Sequence, residues 1–375
     1  MSQSGKAPVR LGIVLGSLLL GAGLYGQTPG TWTVTSSMAS GRADFTATLL
    51  TDGKVLVAGG NYGTTALAAS EIYDPATGGW EPTGSMHTAR SSHGAWLLSS
   101  GKVLVAGGCT GGPCSTGTNT AEIYDPGTGS WTPTGGMSTL RYFFAGALLQ
   151  TGKVLVVGGC SQSECAAATA TAEIYDPSTG RWSSTGSTTL ARSYHTATLL
   201  QSGNVLVAGG YTSAGAAAAA EMYSPATGKW SSAGSLVTGR AVHTATLLKN
   251  GKVLVTGGIA TYGNILKTAE VFDPASRKWL STGSMSQVRE NHTASLLPGG
   301  RILVAGGYGK IIRSAVDLSS AELYDPATGT FSSTGSMTAA RSQHAAVSLP
   351  DGRVLAAGGL GNSAGYQSSA EFYTP

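Results

Sequence analysis

Charged side chains are scarce in this chain of 375 residues, because Asp, Glu, Lys and Arg together make up only 11% of it. Hydrophobic residues reach 41%, a composition that excludes an intrinsically disordered protein. The formal net charge of +4 gives no sign of a basic surface for nucleic acid. Glycine is abundant at 56 residues, which favours short strands and tight turns over long helices. One large all-β domain accounts for this composition.

Long apolar runs are also missing, except near the N-terminus. Lys6 and Arg10 precede an apolar stretch over 11–24, and small residues follow it. This order is typical of a secretory signal peptide, and the apolar core is shorter than the roughly twenty residues of a membrane span. We therefore predict a signal peptide over 1–26 and a mature domain over 27–375. The protein would be secreted, periplasmic or held at the cell surface, and it would contact a membrane only if the signal segment stayed uncleaved.

A repeat of about fifty residues runs through the rest of the chain, which is typical of a propeller array. Seven apolar runs end in Gly-Gly pairs that begin at Gly59, Gly107, Gly158, Gly209, Gly257, Gly306 and Gly358. Each copy contains R-x-x-H-T-A-T-L-L, G-K-V-L-V-A-G-G, A-E-I-Y-D-P-x-T-G-x-W and T-G-S-M, or close variants. Turn dipeptides such as Asp52-Gly53 separate these segments, which predicts four short antiparallel strands per copy. At Arg277 the turn glycine is replaced, so we expect a different turn there.

The Gly-Gly pair, the Tyr-Asp-Pro segment and a tryptophan six residues after the aspartate resemble the kelch repeat. The resemblance covers nearly all of 32–375 and implies a seven-bladed kelch β-propeller, similar to the propeller domain of the galactose oxidase and glyoxal oxidase family without its C-terminal domain. Trp32 lies in a fourth strand with no copy before it, and the chain stops after a third strand at Glu371–Pro375. We predict that the N-terminal strand completes the last blade and closes the ring.

The four cysteines lie in two successive loops that follow Gly-Gly pairs. Cys109 and Cys114 share one loop, and Cys160 and Cys165 occupy the matching loop of the next copy at the same spacing. In an oxidising compartment, two local disulfides within these loops are the simplest interpretation. A zinc site with four thiolate ligands is the alternative. We predict disulfides and no metal.

Strand parity places the variable loops after the Gly-Gly pairs and the connections between blades on one face, called the loop face. The opposite turn face carries only tight turns, so we predict that binding occurs on the loop face. Flat aromatic rings with polar rims suit sugars or peptides, although loop tyrosines also serve to pack loops. The candidate binding residues are Tyr62, Tyr211, Tyr262, Tyr308, Ile311, Ile312, Arg313 and Tyr366.

One arginine and one glutamate recur in every copy beside the strands that begin at the loop face. The arginines are Arg42, Arg90, Arg141, Arg192, Arg240, Arg289 and Arg341. Residues present in every copy usually serve the repeat itself, which favours a lattice of Arg–Glu pairs that fixes the blades. The alternative comes from a resemblance to kelch-like ubiquitin-ligase adaptors, which implies arginines that line the pore mouth and hold acidic peptides. Five histidines follow the repeat arginines at a fixed spacing, and that regularity favours a structural role.

These patterns favour a non-catalytic, exported binding module for an extracellular carbohydrate or protein, with no cofactor. A structural propeller at the cell surface and a carbohydrate-active enzyme are the alternatives. Resemblance to galactose oxidase implies a copper centre with a Tyr-His pair, a cysteine-linked tyrosine and a histidine from a further domain. Tyr194-His195 matches the pair, whereas the other ligands have no candidates. An enzyme similar to sialic-acid epimerase would use Glu and Arg, but no Glu or Arg departs from the repeat in a way that marks an active site; Glu290 and Arg313 are the few examples outside the pattern.

Overall fold

The computed structural model of the protein describes residues 30–111, 114–311, 314–362 and 365–375. The predicted signal peptide over 1–26 lies outside these residues, as do Ile312 and Arg313. Seven antiparallel sheets of four strands each make up most of the described chain. This arrangement confirms the predicted all-β, seven-bladed propeller. The described part has no helix that is long and apolar enough to cross a membrane.

Each blade uses four strands in chain order, and the last blade takes its fourth strand from the N-terminus. The strands of blades 1 to 4 are Thr46–Leu49, Val55–Ala58, Ser70–Asp74 and Gly79–Thr83; Gly94–Leu97, Val103–Ala106, Ala121–Asp125 and Ser130–Thr134; Ala145–Leu148, Val154–Val157, Ala172–Asp176 and Arg181–Thr185; and Thr196–Leu199, Val205–Ala208, Ala219–Ser224 and Lys229–Ser235. The strands of blades 5 to 7 are Thr244–Leu247, Val253–Thr256, Ala269–Asp273 and Lys278–Ser281; Thr293–Leu296, Ile302–Ala305, Ala321–Asp325 and Thr330–Ser333; and Ala345–Ser348, Val354–Ala357, Ala370–Thr374 and Thr31–Thr35.

Shorter elements decorate the loop face. Two 3-10 helices cover Ser163–Cys165 and Thr261–Gly263. The short strands are Asn61–Tyr62, Thr65–Ala66, Tyr211–Thr212, Gly215–Ala216, Arg289–Glu290, Tyr308–Ile311, Ser314–Asp317, Leu360–Gly361 and Gly365–Tyr366. Arg289–Glu290 pairs with Tyr308–Ile311, and the other short strands form hairpins after the Gly-Gly pairs of blades 1, 4, 6 and 7. The variable loops therefore lie on the loop face, as strand parity predicted.

The ring is closed at both its inner and its outer edge. Each first strand contacts the first strands of the two neighbouring blades, and the cycle returns from blade 7 to blade 1. The N-terminal strand Thr31–Thr35 pairs with Ala370–Thr374. Within that pair the Trp32 and Tyr373 ring centroids are 5.3 Å apart, and the Trp32 indole N–H donates to the Gly335 carbonyl of blade 6 at 2.9 Å. The predicted closure by the N-terminal strand is therefore confirmed.

Most of the core lies between blades. The second strand of every blade is fully buried, because its valines, leucines and alanines face both neighbouring sheets. The Gly-Gly pair ends this strand with two positive φ values, 65° at Gly59 and 97° at Gly60. A Cβ atom at Gly59 would lie 2.4 Å from the carbonyl oxygen of Arg90 in the next blade. Only glycine therefore lets adjacent blades approach this closely.

The turn at Arg277 keeps the left-handed φ and the strand pairing of the others, although we expected a different turn there. Arg277 has a φ of 55°, close to the 70° of the equivalent Gly78, and Asp273 pairs with Lys278 as Asp74 pairs with Gly79. The strand pairing therefore keeps the turn and holds an exposed arginine in the left-handed region.

Arg277→Gly is expected to raise the free energy of unfolding by about 1 kcal/mol, because a left-handed residue with a Cβ costs roughly that much. Urea denaturation measures the change. Ser276→Gly is the control, because Ser276 has no positive φ and should lose rather than gain stability. A loss for Arg277→Gly as large as that of the control would contradict this view of the turn.

Candidate binding site at the mouth of the loop face

The repeat arginines are completely buried, with 0% exposure in every blade. In each pair the arginine Nη2 lies 2.6 to 3.0 Å from an Oε1 of the repeat glutamate. In blade 1, Arg42 Nη1 also donates to the carbonyls of Gly59 and Ala69. The second oxygen of Glu71 accepts the backbone N–H of Ala39. Each side chain thus ties the connection between blades to the strands of its own blade.

The arginine backbone completes the link to the preceding blade. The N–H of Gly60 donates to the Arg90 carbonyl, and the same bond recurs at each boundary, including Gly359 to Arg42 across the closure. Burial lowers the pKa of Arg42, while the carboxylate of Glu71 acts in the opposite direction. The guanidinium groups have no surface to offer a ligand. This geometry argues against the alternative in which they hold an acidic peptide at the pore mouth.

The loop tyrosines do not form one continuous patch. Tyr62 and Tyr366 meet with ring centroids 5.3 Å apart, and Tyr211 meets Tyr194 edge-on at 6.1 Å. Tyr262 stands alone at a loop tip with 97% of its surface exposed. Sequence position alone could not separate these cases, because all of them lie within eight residues of a Gly-Gly pair.

The longest loop forms a hairpin over blade 6. Its strands Tyr308–Ile311 and Ser314–Asp317 pair with each other, and Tyr308 also pairs with Glu290. The Tyr308 side chain is 36% exposed. The backbone of Ile311 is placed by this pairing, whereas the predicted contribution of Ile312 and Arg313 concerns residues outside the described ones.

A ring of strained residues surrounds the centre of the loop face. The residue two positions after each repeat arginine has a φ between 50° and 55°, although none is glycine. These residues, called the mouth ring, are Asp44, Ser92, Phe143, Tyr194, Val242, Asn291 and Gln343. Left-handed backbone at such residues costs free energy and is often found at functional sites.

Backbone hydrogen bonds join the mouth ring from blade to blade. Ser92 N–H donates to the Asp44 carbonyl at 2.8 Å, and Tyr194 N–H donates to the Phe143 carbonyl at 2.8 Å. We did not predict this ring from the sequence. The signal was present, because this position carries a different residue in every copy of an otherwise repeated segment. The fold of the repeat does not fix the side chain at this position, so the side chain can differ between blades and serve ligand recognition.

An aromatic cluster forms the wall of the mouth at blades 3 and 4. Phe143 and Tyr194 are stacked, with ring centroids 4.0 Å apart and planes inclined by 20°. Tyr142 packs edge-on against Phe143 at 5.3 Å. Tyr142 is held in place, because its hydroxyl donates to the Gln162 carbonyl and accepts the Cys165 N–H, both at 2.6 Å.

The two cysteine loops flank this cluster. The disulfides Cys109–Cys114 and Cys160–Cys165 are both formed, as predicted, and their Cα atoms are 4.9 and 4.8 Å apart. Between the loops lies a cleft of about 370 Å³. It is lined by Cys114, Ser115, Tyr142, Phe143, Glu164, Cys165 and Tyr194. Two cross-linked loops thus border a cleft with an aromatic wall.

The repeat histidines connect neighbouring first strands. His93 Nε2 lies 3.0 Å from the Thr46 hydroxyl of the preceding blade, and three further histidines bond to threonines in the same way. Where the preceding blade lacks that threonine, phenylalanine usually replaces the histidine, as Phe144 does beside Gly94. These hydrogen bonds give four of the five repeat histidines a structural role.

His195 is the exception. The preceding blade offers Ala145 instead of threonine, and neither ring nitrogen makes a hydrogen bond of normal geometry although the side chain is only 6% exposed. Burial and the charge of Arg192 lower the pKa of His195 well below its usual range. The nearby Val157 carbonyl raises this pKa, but its effect is smaller. The neutral ring borders a second cavity of about 250 Å³, which Phe143 and Tyr194 also line.

Two carboxylates of the loop face act electrostatically on its tyrosines. Asp44 and Glu290 are both half-buried, and burial raises the pKa of Asp44 to about 6 and that of Glu290 above its usual value. Burial raises the pKa of Tyr194, and the charge of Asp44 adds to this shift. Burial and the charge of Glu290 act on Tyr211 in the same way. The mouth therefore combines aromatic faces with negative charge.

These residues do not fit the copper centre that the resemblance implied. All four cysteines are bonded in disulfides, so no thiol is available for a link to a tyrosine. Within the described ranges, no three His, Cys, Asp or Glu side chains gather where they could hold a metal ion. Tyr194-His195 is therefore part of no such cluster in the described residues, and we derive no copper chemistry from it.

The turn face carries a larger groove, which we did not predict. Its volume is about 970 Å³, and it lies between blades 2 and 3. Leu98, Ile123 and Pro133 are among its lining residues, with ion pairs such as Lys102–Asp125 at the rim. The turn face, for which the sequence predicted only tight turns, therefore also has a groove between two neighbouring blades.

Comparisons with known proteins agree with this architecture. The family model of the kelch motif matches residues 98–138, 141–188, 240–286 and 292–338. A solved structure of a fungal alcohol oxidase of the AA5 family, in complex with copper, superposes with a TM-score of 0.74 at 21% identity. The match covers 93% of this chain and 77% of that one, and at this identity it shows the fold alone. The comparison with curated proteins found no match. With kelch motifs in four segments and seven closed blades in its described residues, the chain is a kelch-repeat β-propeller.

Proposed function

We propose that the protein is exported and binds an extracellular carbohydrate at the mouth of the loop face, without catalysis. The observation that carries this proposal is the stacked Phe143–Tyr194 pair, which walls a cleft between two disulfide-linked loops. Aromatic rings beside a few polar groups are the usual means of binding the apolar face of a sugar. Asn291 and Gln343 of the mouth ring supply amide groups suited to sugar hydroxyls.

The rigidity of the cleft supports a binding role. Tyr142 is fixed by two hydrogen bonds, and the flanking loops are closed by Cys109–Cys114 and Cys160–Cys165. A preorganised site loses less conformational entropy when a ligand binds, which increases affinity. The same disulfides favour an oxidising compartment, in accord with the export signal proposed for 1–26.

The shape of the mouth favours a saccharide over a protein partner. The two cavities at the aromatic cluster measure about 370 and 250 Å³. Volumes of this order suit a few sugar rings, whereas a stable protein interface buries roughly 800 Å² on each partner over a broader surface. A carbohydrate is therefore the occupant that the geometry fits better.

A glycan screen of the exported protein, followed by titration calorimetry, tests the proposal. For the best glycan, Tyr194→Ala is expected to weaken binding by about tenfold to a hundredfold, because it removes half of the stacked pair. Tyr262→Ala, at a loop tip of the same face, should leave the affinity unchanged.

Other results would change the assignment. Loss of binding with Tyr262→Ala alone would move the site to the loop tips, and capture of proteins but no glycan would favour a protein partner. Recovery of a chemically altered sugar would make the protein an enzyme. Any of these three results contradicts the proposal.

A further inference from the structure

The boundary between blades 2 and 3 lacks hydrogen bonds that other blade boundaries have. In the mouth ring, a backbone bond such as that from the Tyr194 N–H to the Phe143 carbonyl joins the blades at six boundaries. The corresponding bond between blades 2 and 3, from the Phe143 N–H to the Ser92 carbonyl, is absent. The histidine–threonine bond of the first strands is also absent, because the two residues here are Phe144 and Gly94. Among the described residues, no other boundary lacks both bonds.

The outer strands show the same difference. At five boundaries a tryptophan of the fourth strand donates its indole N–H to the preceding blade, as Trp131 does to the Gly84 carbonyl at 2.9 Å. The equivalent indole nitrogen of Trp182, in blade 3, is buried and has no hydrogen-bond partner. The connection between the two blades also contains Gly135-Gly136, where five other connections have Gly-Ser. Because glycine widens the range of backbone conformations, this connection restrains the two blades less than a Gly-Ser connection does.

Apolar packing takes the place of the missing side-chain bond. A Cβ atom at Gly94 of blade 2 would lie 2.2 Å from the Trp96 indole, and one at Gly146 of blade 3 would lie 2.5 Å from it. Both glycines therefore make room for this ring between the first strands, where its centroid is 6.4 Å from that of Phe144. A hydrogen bond fixes distance and direction, whereas apolar contact is non-directional. The two blades can therefore shift against each other and keep this packing.

Open space lies at the same boundary on both faces of the ring. The groove of about 970 Å³ separates blades 2 and 3 on the turn face, and the cleft of about 370 Å³ lies between their cysteine loops. Between these spaces, the Gly108 N–H donates to the Arg141 carbonyl at 2.8 Å, and the Thr134 and Tyr175 hydroxyls are 2.8 Å apart. These remaining bonds form a pivot, and the space on both faces lets the blades tilt about it.

The two cysteine loops are not bonded to each other. Other neighbouring loops are: the Ala216 N–H of blade 4 donates to the Thr261 hydroxyl of blade 5 at 3.2 Å, and a side-chain bond joins the loops of blades 6 and 7. Within the described ranges, no hydrogen bond joins the cysteine loop of blade 2 to that of blade 3. Each loop is closed on itself by its disulfide. It therefore moves together with its own blade.

We infer that the boundary between blades 2 and 3 is a hinge of the ring, at which the cysteine loop of blade 2 moves as a rigid unit against the aromatic wall and so opens and closes the cleft. The wall itself stays fixed, because the Phe143–Tyr194 stack and a backbone bond join blades 3 and 4. Small shifts between packed elements are a common means of closing a site around a ligand. The inference concerns the motion of the ring and does not depend on what the cleft binds.

Distance measurements between spin labels in the full exported protein test the hinge without any ligand. Labels carried by a non-canonical amino acid leave the disulfides intact. One pair, at the exposed positions Thr116 and Glu164, spans the hinge, and the control pair, at Ser213 and Tyr262, spans the bonded loops of blades 4 and 5. We expect the first distribution of distances to be broader by roughly 2 Å or more, the scale of loop and domain rearrangements in proteins that change shape.

A matched variant removes the hinge by giving this boundary the residues of the boundary between blades 4 and 5. It combines Gly94→Thr, Trp96→Thr, Phe144→His and Gly146→Ala, which supply the threonine and histidine that form a hydrogen bond there. Trp96→Thr is required because its ring occupies the space of the new threonine. We expect the distances across the former hinge to narrow to the width of the control pair. The melting temperature should rise.

Hydrogen exchange of the unlabelled native protein keeps the test independent of this variant. The amides of Gly94–Leu97 and Ala145–Leu148 should exchange about tenfold faster than those of Thr196–Leu199 and Thr244–Leu247, the effect of roughly one lost hydrogen bond. Equal exchange at the two boundaries would overturn the hinge, as would equal widths for the two label pairs. A distribution that stays broad in the matched variant would also overturn it, because the breadth would then come from the loops themselves. None of these results affects the glycan screen, so the hinge and the carbohydrate site can fail separately.

Discussion

Glu221→Ala is expected to lower the free energy of unfolding by about 3–5 kcal/mol, the usual cost of removing one partner from a buried ion pair. The substitution leaves the guanidinium of Arg192 at 0% exposure without its carboxylate, 2.7 Å away in the native protein. It also removes the acceptor for the backbone N–H of Thr189. Urea denaturation followed by tryptophan fluorescence measures the loss.

Lys252→Ala is the matched control for this prediction. Lys252 forms an ion pair with Asp273 on the turn face at 3.1 Å, but its side chain is 41% exposed. Surface pairs of this kind contribute about 1 kcal/mol or less. If both variants lost the same stability, the buried Arg–Glu lattice would not be what holds the blades together.

Deleting Thr31 to Val34 is expected to cost a large share of the total stability, which is about 5–15 kcal/mol for a typical protein. The deletion removes the strand that pairs with Ala370–Thr374 and uncovers Tyr373, which is 0% exposed. It also leaves an unpaired sheet edge that promotes aggregation. The melting temperature of the exported protein measures the loss.

The control for the closure deletion removes the same number of residues from a hairpin tip, Thr212 to Gly215, on the loop face. This hairpin makes only two pairs of its own, Tyr211 with Ala216 and Thr212 with Gly215. We expect a small change in the melting temperature. Equal losses for the two deletions would mean that the N-terminal strand does not close the ring energetically.

The scaffold was predictable because the same strand and turn segments recur in successive copies of the repeat. The strand order and the closure by Trp32 followed from counting copies, and the disulfide Cys160–Cys165 followed from the matching loop at Cys109. Arg277 was the exception, because strand pairing on both sides imposes the turn on a residue that disfavours it.

The candidate site was less predictable, since it depends on contacts between different blades. Tyr194 was noted only as half of a Tyr-His pair, and its stacking on Phe143 joins residues of blades 3 and 4. His195 fitted the repeat by spacing, and only the pairing of His93 with Thr46 shows what Ala145 fails to provide. Such contacts between blades form only in the closed ring, so the sequence of a single repeat does not reveal them.

The most direct test of the carbohydrate site is a crystal structure of the protein with the glycan that the screen identifies. We predict a sugar ring against the Phe143–Tyr194 pair, in the cleft between the two disulfide-linked loops. A glycan in the turn-face groove at Leu98 and Ile123, or on the loop tip at Tyr262 alone, would contradict the account.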